Sequence, residues 1–441
     1  MAIKYYTGQA PYIAQYAQSG ALSLYADGGD QVCAVRLTIN GITIEVEGRD
    51  PTATIARDEA VRELISAVNQ SAYDYFKAIY ITGVDIGGDD LYDVFQVHAR
   101  IAGVPFEATG QTEISSGSWL SLAINDVVEN SSPQDVRCAA NWSGGTLPTG
   151  GDTIIFADSD VDIAWGLDEF ATTIFAGVEK SATFTGRIGL DYLNFAKTPD
   201  ARQVYANTSE YRQNYFQCQC NGSVRIGTRQ GVGNADSARV MFDFNGSSPE
   251  VYVNGTAARS CDVGRPAVRI MPDAFNIFIQ DCPGGVGLGD EVPDESGTIT
   301  KLTFLPTGRN SWIVTGSNTK IVTYVHREGR ALIKETTDMT SATVDGGICE
   351  FRGDGDIDDL YTNGGDIYIH NYYSGGNDVD NLHFNGGRID LSYRSQPLTV
   401  DEIHVGDMLN RGEIIAPDDM LVITTGINWD GKISLINRKA S

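Results

Sequence analysis

From about residue 150 onward, short runs of alternating apolar and polar residues are separated by Gly, Asn and Asp. The clearest run, Ile357 to Ile369 (IDDLYTNGGDIYI), recurs from Val379 to Leu391 (VDNLHFNGGRIDL) at an offset of 22 residues. A third copy opens at Val400, with Ile403 offset by 21 from Leu382. Looser copies begin at Ile299, Ile321 and Ala342. A period of about 20 residues holds two or three short strands and their corners, whereas a propeller blade needs about 40–45. The pattern predicts the rungs of a parallel β-solenoid. Strand alternation sends Leu360, Leu382, Ile403, Phe384 and Val405 inward as a core column. It sends Tyr361, His383 and His404 outward, stacked at about 4.8 Å. Asn-Gly-Gly corners supply the positive φ of a sharp bend.

Upstream the pattern changes. Leu37 to Val46 alternates around Asn40-Gly41, which favours a two-residue hairpin turn. Val61, Leu64, Ile65 and Val68 follow at helical spacing, opposite Arg57, Asp58, Glu59, Arg62 and Glu63. Strands are expected around 78–84 and 94–101. The order predicts a small α+β domain over 31–110. Residues 111–140 read as a connector, with Leu120, Ala123, Ile124, Val127 and Val128 spaced as a short helix. The solenoid then occupies 141–441. The fold class is mainly β, a small N-terminal α+β domain followed by a parallel β-solenoid.

Two stretches carry a resemblance. Thr38-Ile39-Asn40-Gly41, the helix ending near Asn69, and Gly103-Val104-Pro105-Phe106-Glu107-Ala108-Thr109 resemble a small domain that recurs in tailed-bacteriophage tail and fibre proteins. The stretch from Trp142 to Phe156, with Gly145, Pro148, Asp152 and Ile154, is similar to the entry into β-solenoids of phage surface proteins and other cell-surface passengers. There Trp142 would cap the first coil. The resemblance implies a virion structural protein of fibre, spike or decoration type, assembled in the host cytoplasm and displayed on the virion surface. Its partners would be other capsid or tail proteins, two further copies in a homotrimer, and, as a further partner, a host surface glycan.

Residues 1–30 form a tyrosine-rich arm with Tyr5, Tyr6, Tyr12 and Tyr16. So aromatic a segment should lie against its own domain or a partner subunit, and it is the expected docking arm. The 441 residues carry 32 Lys+Arg against 58 Asp+Glu, a net charge of −26. That balance argues against nucleic-acid binding and against a polybasic membrane surface. No run approaches the length of a membrane-spanning helix. Seven scattered cysteines suit buried thiols rather than a disulfide framework or a zinc site.

Candidate chemistry is sparse. The acidic run from Asp354 begins like a calcium loop but has Asp359 where Gly is needed and Gly365 where Glu is needed. His383 and His404 lack a third ligand nearby in sequence. Asp356, Asp358, Asp380 and Asp401 offer carboxylates for acid–base work, yet no motif selects them among 58 acids. The expectation is no enzyme, no cofactor and no metal. The alternative is a tailspike-like protein that binds or depolymerises host glycan.

Overall fold

The computed structural model describes residues 2–39, 42–70, 79–100, 106–165, 170, 172–186, 188–189, 215–227, 240–244, 249–255, 266–271, 275–289, 297–316, 319–334, 338–353, 355–370, 378–406, 412–417, 419–429 and 434–437. Most of the chain is a parallel β-solenoid made of two long sheets. One has thirteen strands, beginning with Ile3–Tyr6, Thr153–Phe156 and Ile174–Lys180 and ending with Leu421–Trp429. The other has eleven, from Tyr215–Gln217 to Ser434–Asn437. From Tyr215 onward strands of the two sheets alternate along the chain, one of each per coil, and every pairing within both sheets is parallel.

Alternation decides what faces the interior. Leu302, Tyr324, Ala342, Leu360, Leu382, Ile403 and Ile427 stand in register in successive strands. The neighbouring inward file runs Phe304, His326, Val344, Thr362, Phe384, Val405. Leu360, Leu382, Phe384, Ile403 and Val405 are all buried in one continuous core. Each inward side chain thus meets another inward one a rung above and below, whatever its type, and the backbone groups are satisfied by the ladder.

The corners carry the glycines. Gly365 has φ 78° and Gly387 has φ 88°. A Cβ on Gly387 would also come within 2.8 Å of Gly364 carbon and Gly365 oxygen in the coil before. Gly387→Ala is expected to cost about 1–2 kcal/mol for the left-handed backbone and a further about 1–3 kcal/mol for the overlap. The urea midpoint is the readout, with Ser392→Ala as a surface comparison.

The N-terminal region is built from antiparallel strands and one helix. Asp30–Ile39 pairs with Ile42–Asp50, with Ile39 opposite Ile42, so a two-residue connection joins them. Asn40 and Gly41 themselves, like Gly103, Val104 and Pro105, lie outside the described residues. The helix spans Ala53–Asn69 and buries Ala56, Ala60, Val61, Leu64 and Val68. Its last residue clamps a strand: Asn69 accepts from the Ile81 N–H and donates to the Ile81 carbonyl, both at 2.8 Å.

The short helix expected over 120–128 is not formed. Ser118–Leu122 and Ile124–Val128 are strands. The first pairs with Ala108–Ser115 and the second with Tyr16–Ser19. The helical spacing misled because it does not mark a buried face: Leu120 and Val127 are exposed. Ile124, Val127 and Val128 are β-branched, and two neighbouring strands offered free edges.

The arm lies against its own chain. Ile3–Tyr6 is the first strand of the solenoid sheet, and Tyr16–Ser19 is a strand of the N-terminal region. Asp152 helps hold the first strand, accepting from the Ala2 N–H at 2.7 Å and from Thr149. The outer edge of that strand is occupied too. Tyr6 bridges Trp142 antiparallel, and Ser143 N–H donates to the Tyr5 carbonyl at 2.9 Å.

Candidate functional site: an outward file on the long sheet

The thirteen-stranded sheet presents one file of outward residues through its first twelve strands. It runs Tyr5, Ile155, Glu179, Arg225, Tyr252, Phe278, Thr303, Val325, Thr343, Tyr361, His383, His404. Two stretches of it are aromatic. Tyr361 and His383 stack with centroids 4.2 Å apart and planes 6° apart, and His383 stacks on His404 at 4.8 Å and 11°. Side chains flank the rings: His383 Nε2 is 3.1 Å from an Asp359 oxygen, and His404 Nε2 is 3.6 Å from a Glu402 oxygen. Further along, Tyr252 and Phe278 stack at 5.1 Å and 8°. Arg225 lies 5.6 Å over the Tyr252 ring, and the Tyr252 hydroxyl donates to Glu250 at 2.9 Å.

Beside this second stack lies a groove of about 380 Å³, lined among others by Arg225, Tyr252, Phe278, Thr303 and Leu305. Thr303 is only 6% exposed, and its hydroxyl has no hydrogen-bond partner among the described residues. A larger trough of about 960 Å³ follows the glycine corners beside the other sheet. Its charges are largely spent within the fold. Arg309 pairs with Glu328, Arg330 with Glu350, and Arg388 with Asp390. Glu350 is buried, which opposes its ionisation, yet the Arg330 and Arg352 guanidiniums at 2.5 and 2.6 Å outweigh that and hold its carboxyl below the usual range.

The other residues singled out in the sequence are dispersed. Trp142 is buried at the N-terminal end of the solenoid core, where it meets Tyr6 edge-on at 5.1 Å. Its indole N–H donates to the Val136 carbonyl at 2.7 Å. Tyr6 is buried with it, and its hydroxyl donates to the Pro133 carbonyl. Tyr16 stacks on His98, which Tyr80 covers from the other side. Tyr5 and Tyr12 are exposed. Asp380 sits beside Asp358 and Asp401; partial burial first, then these neighbours, raise its carboxyl. Asp354 lies outside the described residues. Among the described residues no group of three or more His, Cys, Asp or Glu is placed to hold a metal ion. The described cysteines are free thiols. No described helix is long and apolar enough to cross a membrane.

Sequence inspection missed the Tyr252–Phe278 stack and a buried polar cluster. In that cluster Tyr324 and His326 are fully buried, with the Tyr324 hydroxyl 2.7 Å from His326 Nδ1. The signal for the stack was present: Val251-Tyr252-Val253 and Ile277-Phe278-Ile279 each set one aromatic between two β-branched residues.

Compared with protein-family models, with curated proteins and with solved structures, the chain matches none.

Proposed function

We propose that this chain is a structural component of a tailed-phage virion, with its N-terminal part docked on the particle and its acidic solenoid projecting outward. The observation that carries this reading is the unbroken parallel ladder, sealed at its N-terminal end by the chain's own first strand. Stacked rungs leave few places where a protease can open the backbone, which suits an exposed appendage. Thirteen strands at about 4.8 Å give a rod of about 60 Å, the scale of a short spike or capsid decoration rather than a long fibre. Tyr12 and Ile13 are exposed near the N-terminus, which supports a docking role for that end. The resemblance of the 31–110 region to phage tail and fibre domains supports the same placement. Three copies around one axis would multiply small docking contacts.

The test is to purify tailed particles from a culture that expresses the chain, and to locate it with gold-labelled antibodies against the solenoid. Labelling at fixed sites, in a constant copy number divisible by three, is expected. Particles that carry no copy would remove the proposal.

A further inference from the structure

The outward file holds a feature that the rod role does not require. Parallel rings one rung apart lie across the rod axis. The Tyr252–Phe278 stack therefore ends with the far face of Phe278, and the Tyr361–His383–His404 stack with the near face of Tyr361. Between them stand only Thr303, Val325 and Thr343, one per rung. Four rung steps separate Phe278 from Tyr361, about 19 Å along the axis. The long rings rise above the short side chains, so the file is notched, with an aromatic wall at each end.

We propose that this notch binds a segment of a neutral carbohydrate chain lying along the rod. The C–H faces of sugar rings pack against aromatic rings, while their hydroxyls need donors and acceptors to either side. The two adjoining outward files supply them: Lys301, Thr323 and Ser341 on one side, Arg327 and Asp345 on the other. Thr303, its hydroxyl buried, forms the floor beside Phe278 and leaves hydrogen bonding to these flanking side chains. A neutral chain is favoured because Glu179, Glu250, Asp359 and Glu402 edge the two stacks and the whole chain carries −26. A sugar unit advances its chain by about the length of one rung, so one strand of glycan can stay in step with the file. The site does not depend on the rod being viral.

The test uses the full chain on a printed array of neutral and anionic bacterial capsular and O-antigen polysaccharides. Binding to one or more neutral polysaccharides is expected. Val325→Trp fills the notch without touching either wall and should lower that signal at least tenfold, as should Phe278→Ala with Tyr361→Ala. Tyr361→Phe, which keeps the ring, and Tyr5→Ala, in the same file but far from the notch, should leave it unchanged. Thermal unfolding shows whether each variant is folded. Binding to no neutral polysaccharide, binding to anionic ones alone, or binding that survives Val325→Trp would overturn the proposal. Loss of binding says nothing against the virion role, which the particle labelling addresses separately.

Discussion

Trp142→Ala should lower the unfolding free energy by about 3–5 kcal/mol, the range for removing a large buried aromatic. Trp142 is 2% exposed and touches Tyr6, Phe156 and Phe170 through edge-on ring contacts. Its indole N–H is bonded to the Val136 carbonyl, and that acceptor would lose its partner. The effect should be directional. The first coils rest on an aromatic cluster of Phe156, Trp165, Phe170, Phe175 and Phe216, and Trp142 closes it from the end. Hydrogen exchange should therefore quicken in Ile3–Tyr6 and Thr153–Phe156, and change little in Leu398–Val405. Uniform loss of protection, or a change below about 1 kcal/mol, would show that the end closure does not depend on this side chain.

The second large effect is on acid stability. His326 is fully buried beside Phe304 and Tyr324. Burial pushes its pKa down from 6.5 to about 4, with the Gly329 carbonyl opposing in part. A histidine held neutral in the fold but free to protonate when unfolded takes up its proton by unfolding. Its contribution to stability is complete above about pH 6.5 and is lost as the pH falls towards 4. Over that window the loss amounts to roughly 3 kcal/mol. His326→Phe should flatten the dependence of the urea midpoint on pH between 6.5 and 4, even though it removes a partner of the Tyr324 hydroxyl. An unaltered slope in the variant would place the acid sensitivity in other groups.

How much of this was legible in the sequence depended on the length of the coils. Leu360, Leu382 and Ile403 stand 21 or 22 residues apart, and the copies around them keep the same apolar–polar order. The same alternation places Tyr361, His383 and His404 outside, where the structure has them stacked. The Tyr252–Phe278 half of the file was hidden because its coils are longer, Ile226 pairing with Val253 and Val253 with Ile279. Unequal insertions between strands erase a fixed period while leaving the register intact, since the ladder and not the spacing sets it. Tyr324 and His326 were hidden for another reason. Polar residues in an inward file look like strand residues on the wet face until their partners are known. In the N-terminal region the helix was readable because a 3.6-residue stripe is local. The pairing of Ile124–Val128 with Tyr16–Ser19 joins residues more than a hundred positions apart, which no window of sequence contains.

The covered edge of the first strand has a consequence for how these molecules behave at high concentration. A stack of parallel strands is a ready template for copies of itself, the hazard behind cross-β aggregation. Here the leading strand is fenced by Trp142, Ser143 and Lys4 bonded to Thr146, so an incoming chain finds no free row of amides at that face. Runaway elongation is closed off in one direction by a few residues of the molecule's own backbone.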